Sequence, residues 1–209
     1  MAKYSTKVKI RATTTDCFFG FMIMNAYHKF EADTIVLHKH SVLTSYVIGE
    51  NLLLSTPWYD VDHVFFPILT PSQAHWILAQ FDIKQRLLYV FNSSQRTIRG
   101  RQIEEAVEPL SKIIPHLMIR SGFWKPKSTT DKEILEKPSI QIVKDISQQE
   151  NGRDCRVFVI KYLEYLLYNK LQSMHEPFNT KMAHYDLAVQ LYKHGKDRRQ
   201  CKHDKKKAR

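Results

Sequence analysis

Residues 64–92, VFFPILTPSQAHWILAQFDIKQRLLYVFN, contain three apolar runs that predict neighbouring β-strands. The runs cover residues 64–69, 75–82 and 86–92, and each is rich in β-branched and aromatic side chains. The short segments between them, TPSQA and IKQ, are typical of turns. Three strands that follow one another so closely predict a sheet, and this sheet determines the fold.

Helical patterns flank the sheet in the sequence. A first helix is predicted from Asp16 to Phe30, where TTTD can cap an apolar run. A second helix, which we expect to bend near Pro109, has apolar residues at spacings of three and four. These residues are Ile103, Val107, Leu110, Ile114 and Leu117. Residues 31–60 give no clear pattern.

The last third of the chain predicts one more strand and two more helices. The strand covers residues 139–146, and the first of these helices begins near Cys155. The final helix places Met182, Tyr185, Val189 and Tyr192 on one stripe. The sequence therefore predicts the α+β class, with a central mixed or antiparallel sheet flanked by helices.

Residues 147–167, SQQENGRDCRVFVIKYLEYLL, place Cys155 at the polar entrance of a densely apolar helix. We expect this helix to be buried at the centre of the fold. A thiol in the first turn faces unpaired backbone N–H groups and the positive end of the helix dipole, which favour the thiolate. Cys155 is therefore the candidate nucleophile. We expect Cys17, inside an apolar helix, and Cys201, in a basic tail, to lack this setting.

His75 is the candidate general base among the ten histidines. It begins one predicted strand, and Asn92 ends the next. In an antiparallel hairpin these ends lie side by side, so Asn92 can hydrogen-bond the His75 ring and fix its tautomer. Gln149, six residues before Cys155, can stabilise a developing oxyanion together with the Cys155 backbone N–H.

Three ordered motifs, TPSQAHWIL, YVFNSS and QQENGRDCRVFV, resemble those of the ubiquitin-like-protein-specific (SUMO-specific) cysteine protease family. The segment VDHVFFPI (61–68) resembles the plant branch of that family, and the resemblance covers about residues 58–168. It implies a papain-like cysteine protease architecture, with the nucleophile at the N-terminus of a buried helix. It also implies cleavage of peptide or isopeptide bonds after the C-terminal Gly-Gly of a ubiquitin-like modifier of the SUMO type.

The resemblance also implies a role for each site residue. Cys155 would be the nucleophile, His75 the general base, Asn92 the orienting residue and Gln149 the oxyanion donor. Trp76 would line a narrow channel for the Gly-Gly tail, where side chains larger than glycine would clash. The alternative for Trp76 is an ordinary core residue.

Three positions depart from the family pattern. Asn92 stands where most members have Asp, although Cys-His-Asn arrangements also work. Arg156 replaces the Gly that follows the nucleophile, and this cation can either obstruct the substrate or favour the thiolate. If Asp16 opens the first conserved helix, Thr13 replaces a second channel tryptophan. The alternative function is therefore a weakened or inactive member that binds a ubiquitin-like modifier.

The net charge of +11 is concentrated in residues 193–209, which hold nine Lys or Arg and two Asp. We expect one catalytic domain over residues 1–192, with an atypical or truncated N-terminal part, and a disordered basic tail over 193–209. The tail is either inert or a nuclear-localisation or polyanion-binding segment. Nucleic acid is expected as a partner only through this tail.

The remaining composition argues against several other classes of protein. The three cysteines form no CxxC pair, so neither a disulfide framework nor a cysteine zinc site is expected. His38, His40 and His63 have no acid or thiol at ligand spacing, so we expect no metal and no cofactor. No apolar run approaches the ~20 residues that span a bilayer. We expect a soluble monomer of the nucleus or cytoplasm with no membrane partner.

Overall fold

The computed structural model describes residues 8–31, 41–52, 55–70, 75–125 and 133–207. The strands are β1 (Ala12–Thr14), β2 (His63–Thr70), β3 (His75–Asp82), β4 (Leu87–Phe91) and β5 (Ser139–Ile142). The helices are α1 (Cys17–Glu31), α2 (Val42–Val47), α3 (Gly100–Arg120), α4 (Cys155–Leu167) and α5 (Thr180–Lys207). Short 3-10 helices cover Trp58–Asp60, Glu133–Leu135 and Leu171–Met174.

The five strands form one mixed sheet in the order β1-β2-β3-β4-β5. The central strands β2, β3 and β4 are antiparallel, whereas the outer strands β1 and β5 run parallel to their neighbours. Thr70 pairs with His75 in the first hairpin, and Asp82 pairs with Leu87 in the second. The three strands predicted from residues 64–92 and the α+β class are therefore confirmed.

Helices cover both faces of the sheet. The main core lies where α1 and α3 pack on β2, and its centre is an aromatic cluster of Phe19, Trp58 and Phe66. Helix α4 packs on β3, and its Tyr162 ring lies 6.0 Å from that of Phe91. Neighbouring side chains of a strand point to opposite faces. The buried apolar residues of β2–β4 therefore serve both layers.

Helix α1 begins where the sequence predicted it. The Asp16 carboxylate accepts hydrogen bonds from the backbone N–H groups of Phe18 and Phe19 at 3.0 and 3.1 Å, which caps the helix. Cys17 lies in this helix as expected, but it is the first residue and is exposed. The expectation that Cys17 lacks a helix N-terminal setting is therefore wrong. The unassigned region 31–60 contributes α2 and one 3-10 helix among its described residues.

One later element differs from the prediction in length. Strand β5 ends at Ile142, four residues short of the predicted end, and the chain then turns through Asp145, which has a φ of 57°. Helix α3 continues through Pro109 and Pro115 to Arg120.

The chain divides into two compact units, Met1–Glu176 and Pro177–Arg209. The second unit contains α5, which continues to Lys207. The catalytic domain expected over residues 1–192 and the disordered tail expected from 193 stay predictions. Lys, Arg and Gln are good helix formers and no proline interrupts them, so the helix can extend through the basic run. None of the helices in the described ranges is long and apolar enough to cross a membrane.

Candidate active site

His75 is held at the start of β3 by a reciprocal contact with Thr70. The Thr70 hydroxyl accepts a hydrogen bond from the His75 backbone N–H at 3.3 Å and donates one to the His75 carbonyl at 3.0 Å. The His75 side chain is 5% exposed. Its Nε2 lies 2.9 Å from Asn92 Oδ1. The structure therefore brings together His75 and Asn92, the two residues that the predicted hairpin places side by side.

Asn92 has its carboxamide orientation fixed by three contacts. Its Oδ1 accepts from the Ser94 backbone N–H at 2.9 Å as well as facing His75, and its Nδ2 donates to the Ile98 carbonyl at 3.3 Å. The residue is 1% exposed. Because a backbone N–H can only donate and a carbonyl can only accept, these neighbours identify which atom is oxygen and which is nitrogen.

The orientation of Asn92 determines the tautomer of His75. Asn92 Oδ1 can only accept, so His75 Nε2 must carry a hydrogen. In the neutral ring Nδ1 then keeps its lone pair and can take up a proton. Burial lowers the pKa of His75, while the hydrogen bond that His75 donates to Asn92 Oδ1 raises it by a smaller amount. The neutral form is thus favoured, as a general base requires.

Two adjacent glutamines follow β5, and the structure distinguishes them. Gln148 is fully engaged, because its Nε2 donates to the carbonyls of Asn92 and Ile146 and its Oε1 accepts from the Gln95 N–H. Gln149 contacts Ser93 through its Oε1 and its backbone N–H. Within the described ranges, Gln149 Nε2 donates no hydrogen bond. Gln149 is therefore the glutamine with a donor available to a ligand.

Cys155 is the first residue of α4 and is 5% exposed. The helix begins after Asp154, whose carbonyl accepts from the N–H groups of Val157 and Phe158. Between the residues that the structure describes, no hydrogen bond links the Cys155 thiol to the His75 ring. Catalytic hydrogen bonds are often long before substrate binds and shorten in the complex.

Tyr162 connects the helix of Cys155 to the loop of the two glutamines. Its buried hydroxyl donates to the Ser147 carbonyl at 2.5 Å, and the Ser147 N–H donates to the Met174 carbonyl at 2.8 Å. Burial raises the pKa of Tyr162, so the hydroxyl stays a donor. The start of the glutamine loop is thereby fixed to α4.

The remaining predicted positions lie around these groups. Trp76 is half-buried and follows His75, so it points to the opposite face of β3. Arg156 is exposed at the second position of α4, whose first turn forms regularly. Thr13 is buried in β1, and its hydroxyl accepts from the Thr56 N–H at 3.2 Å.

His63, one of the three histidines considered as metal ligands, begins β2. His63 lies near Gln80 and Asp82, with Nδ1 at 3.2 Å from Gln80 Nε2 and 3.7 Å from Asp82 Oδ2. No group of three His, Cys, Asp or Glu there is arranged to hold a metal ion. His38 and His40 lie outside the described residues.

Sequence reasoning missed four residues that support the site, namely Thr70, Ser93, Gln148 and Tyr162. Some signals were present in the sequence. Ser93 directly follows Asn92, Gln148 directly precedes Gln149, and Tyr162 lies seven residues after Cys155, two helical turns along the same face. The position of a residue in the sequence, however, does not show whether the oxygen or the nitrogen of a carboxamide forms a hydrogen bond.

Residues 3–199 match the family model described as "Ulp1 protease family, C-terminal catalytic domain". None of the curated proteins matches the chain.

The chain is also similar to several solved structures, of which three are given. A SUMO protease Ulp1 with its catalytic cysteine oxidised to a sulfonic acid is 19% identical, with a TM-score of 0.46, over 83% of this chain and 63% of that chain. The Ulp1 protease domain in complex with Smt3, the yeast ortholog of SUMO, is 16% identical, with a TM-score of 0.47, over 85% and 65%. The Chaetomium thermophilum Ulp1-like SUMO protease catalytic domain is 17% identical, with a TM-score of 0.45, over 82% and 55%. This chain spans less than two thirds of these solved chains.

Proposed function

The chain belongs to the Ulp1 protease family, and we propose that it is a cysteine peptidase that cleaves after the C-terminal Gly-Gly of a SUMO-type modifier. Either an isopeptide bond to a target lysine or a peptide bond in a modifier precursor would be the substrate. The observation that carries this proposal is the contact between His75 Nε2 and Asn92 Oδ1 at 2.9 Å. It provides a neutral base, with Nδ1 available, in a chain whose α4 begins with Cys155.

The first half of the proposed reaction forms a thioester. Cys155 Sγ attacks the carbonyl carbon of the terminal glycine, and its proton passes to His75 Nδ1. The carbonyl electron pair moves to the oxygen, where Gln149 Nε2 and the Cys155 backbone N–H donate hydrogen bonds. The carbon–nitrogen bond then breaks, and the amine leaves with the proton that His75 held.

The second half of the reaction releases the modifier. His75 Nδ1 takes a proton from water as the water oxygen attacks the thioester carbon, and the same oxyanion donors act again. The carbon–sulfur bond breaks, and the sulfur recovers the proton from His75. The products are the free thiol and the modifier carboxylic acid, which releases its proton to solvent. We propose that Trp76 lines the passage for the Gly-Gly tail.

Several finer assignments belong to this proposal. The segment VDHVFFPI (61–68) supports placing the chain in the plant branch of the family. The exposed basic residues of α5, such as Lys193, Lys196 and Arg198, are suited to a polyanion such as nucleic acid. We also propose that the protein acts as a monomer in the nucleus or cytoplasm.

The test of the proposed function is cleavage of defined conjugates. Each of several ubiquitin-like modifiers, linked through an isopeptide bond to a lysine peptide, is incubated with the protein and followed by gel mobility. We expect cleavage of a SUMO-type conjugate and its loss in Cys155→Ala. Failure to cleave any conjugate or precursor would refute the peptidase assignment.

Arg156 favours a second candidate function, a modifier-binding protein without turnover. An exposed cation immediately follows Cys155, where the family resemblance leads us to expect glycine. This candidate predicts modifier affinity that survives Cys155→Ala, without cleavage by the parent protein. Restored cleavage in Arg156→Gly and Arg156→Ala would show that the side chain obstructs the site. Arg153→Ala is the matched control, because it removes another exposed cation just before the nucleophile.

A further inference from the structure

The geometry points to Ser93 as the positioning residue that orients the oxyanion donor Gln149, an inference that rests on the proposed function. Ser93 follows Asn92 and is 1% exposed. Its carbonyl accepts from the Gln149 backbone N–H at 2.8 Å, and its hydroxyl donates to Gln149 Oε1 at 3.2 Å. Ser93 therefore contacts both the backbone and the side chain of Gln149.

The hydroxyl contact matters because the two ends of a carboxamide have opposite chemistry. The oxygen accepts and the nitrogen donates, and the final torsion of a glutamine side chain is broad and roughly two-fold. In the structure the Ser93 hydroxyl donates to Oε1, which leaves Nε2 as the outward donor. Among the described residues no other group donates to Oε1, so without that hydroxyl a half-turn would present the partly negative Oε1 to the developing oxyanion, which it would repel.

The surroundings of Gln149 leave room for such a turn. A polar cavity of about 480 Å³ adjoins the side chain. Its lining consists of Ser94, Arg96, Thr97, Gln148, Gln149 and Glu150. Water in this cavity could hydrogen-bond either end of the carboxamide, so the cavity does not select one orientation. The neighbouring Gln148 cannot replace the hydroxyl, because its own amide is already engaged.

The position of Ser93 also links the two halves of the site. Asn92 orients the base His75, and the next residue orients the oxyanion donor Gln149. The two residues that follow β4 therefore fix His75 and Gln149 relative to each other.

The first test is steady-state kinetics on the SUMO-type conjugate. Loss of one hydrogen bond predicts a kcat about 3- to 10-fold lower in Ser93→Ala, with KM unchanged, because Gln149 acts on the transition state. Gln149→Ala should lower kcat by about 10²- to 10³-fold. In the Gln149→Ala background, Ser93→Ala should then cost less than about 2-fold, since the two side chains act as one unit.

The controls separate orientation from folding. Ser111→Ala removes another buried serine hydroxyl, which donates to the Glu108 carbonyl at 3.1 Å in α3, and should leave kcat unchanged. If Ser93→Ala does not fold, Ser93→Thr and Ser93→Val carry similar added bulk and differ in the hydroxyl. The Thr variant should then be about 3- to 10-fold faster than the Val variant. Equal rates in that pair, or independent losses from Ser93→Ala and Gln149→Ala, would overturn the inference.

A spectroscopic readout tests the contact without turnover. The side-chain amide resonance of Gln149, identified by its loss in Gln149→Ala, should shift in Ser93→Ala and stay in place in Ser111→Ala. An unshifted resonance in Ser93→Ala would overturn the inference whether or not the protein cleaves conjugates. Absence of turnover by the parent protein would instead refute the proposed function, while the resonance still decides whether Ser93 orients Gln149.

Discussion

Replacing Asn92 by Asp, the residue that most family members are expected to carry, should weaken this particular protein. The Asn92 Nδ2 donates to the Ile98 carbonyl at 3.3 Å, and both residues are buried. A carboxylate has no hydrogen to donate, so Asn92→Asp leaves that carbonyl unpaired and places a negative oxygen beside it. Loss of a buried hydrogen bond that leaves its acceptor without a donor lowers the free energy of unfolding by about 1 to 3 kcal/mol. We expect a loss of that size at pH 8, where His75 is neutral.

The pH dependence of this loss is the more specific part of the prediction. Burial lowers the pKa of His75 in the folded parent below its usual 6.5. The parent therefore loses stability as pH falls below 6.5, because the unfolded chain binds the proton first. In Asn92→Asp the new carboxylate raises the pKa of His75, so the folded variant gains the proton earlier. Below pH 6.5 the difference in unfolding free energy between variant and parent should therefore shrink, by up to about 1.4 kcal/mol for each pH unit.

The assay is urea unfolding of both proteins at pH 8.0, 6.5 and 5.5, followed by tryptophan fluorescence. Asn25→Asp is the matched control, because Asn25 is exposed on α1 and its change should have little effect on stability at any of the three pH values. A variant that is more stable than the parent at pH 8, or a gap that does not change with pH, would refute the reasoning about the Asn92 contacts.

Three further predictions concern the groups around the site. Tyr162→Phe removes the donor to the Ser147 carbonyl and should lower the free energy of unfolding by about 1 to 2 kcal/mol in urea titrations; no change would contradict a buried hydrogen bond. The acid limb of kcat/KM should have its midpoint below pH 6.5, because burial lowers the pKa of His75; a midpoint above 6.5 would argue against His75 as the buried base. Gln148→Glu places a carboxylate against the Asn92 carbonyl and should cost about 1 to 3 kcal/mol, measured as a lower urea midpoint; a neutral effect would show that this contact is dispensable.

The hairpin of β3 and β4 is the part of the site that the sequence predicted best. Both strands are strongly apolar, and the turn between Asp82 and Leu87 is short, so the register has little freedom. That register alone brings the start of β3 close to the end of β4. The approach of His75 to Asn92 could therefore be inferred from their spacing in the sequence alone.

The orientation of the carboxamides could not be inferred in this way. It depends on single backbone groups, such as the Ser94 N–H and the Ile98 carbonyl, that come from an irregular loop. Sequence patterns predict helices and strands from the regular spacing of apolar residues, and an irregular loop has no such spacing. The same reason explains why Ser93 was overlooked although it adjoins a residue singled out for the site.

One error arose at the start of a helix. Cys17 was expected to lack a helix N-terminal setting, yet the Asp16 cap makes it the first residue of α1. An apolar pattern shows that a helix is present, but the position of its first residue depends on the hydrogen bonds of a single capping side chain.

The exposed Cys17 also provides an internal control for the measurement that bears most directly on the site. A SUMO-type modifier with a C-terminal electrophile is incubated with the protein, and the modified residue and its rate of modification are determined by mass spectrometry. We predict one adduct, on Cys155, whose rate falls by at least about 10²-fold in His75→Ala and is unchanged in Cys17→Ala. Modification of Cys17 in place of Cys155, or equal modification of Cys155 without His75, would contradict the assignment of Cys155 and His75 as nucleophile and base.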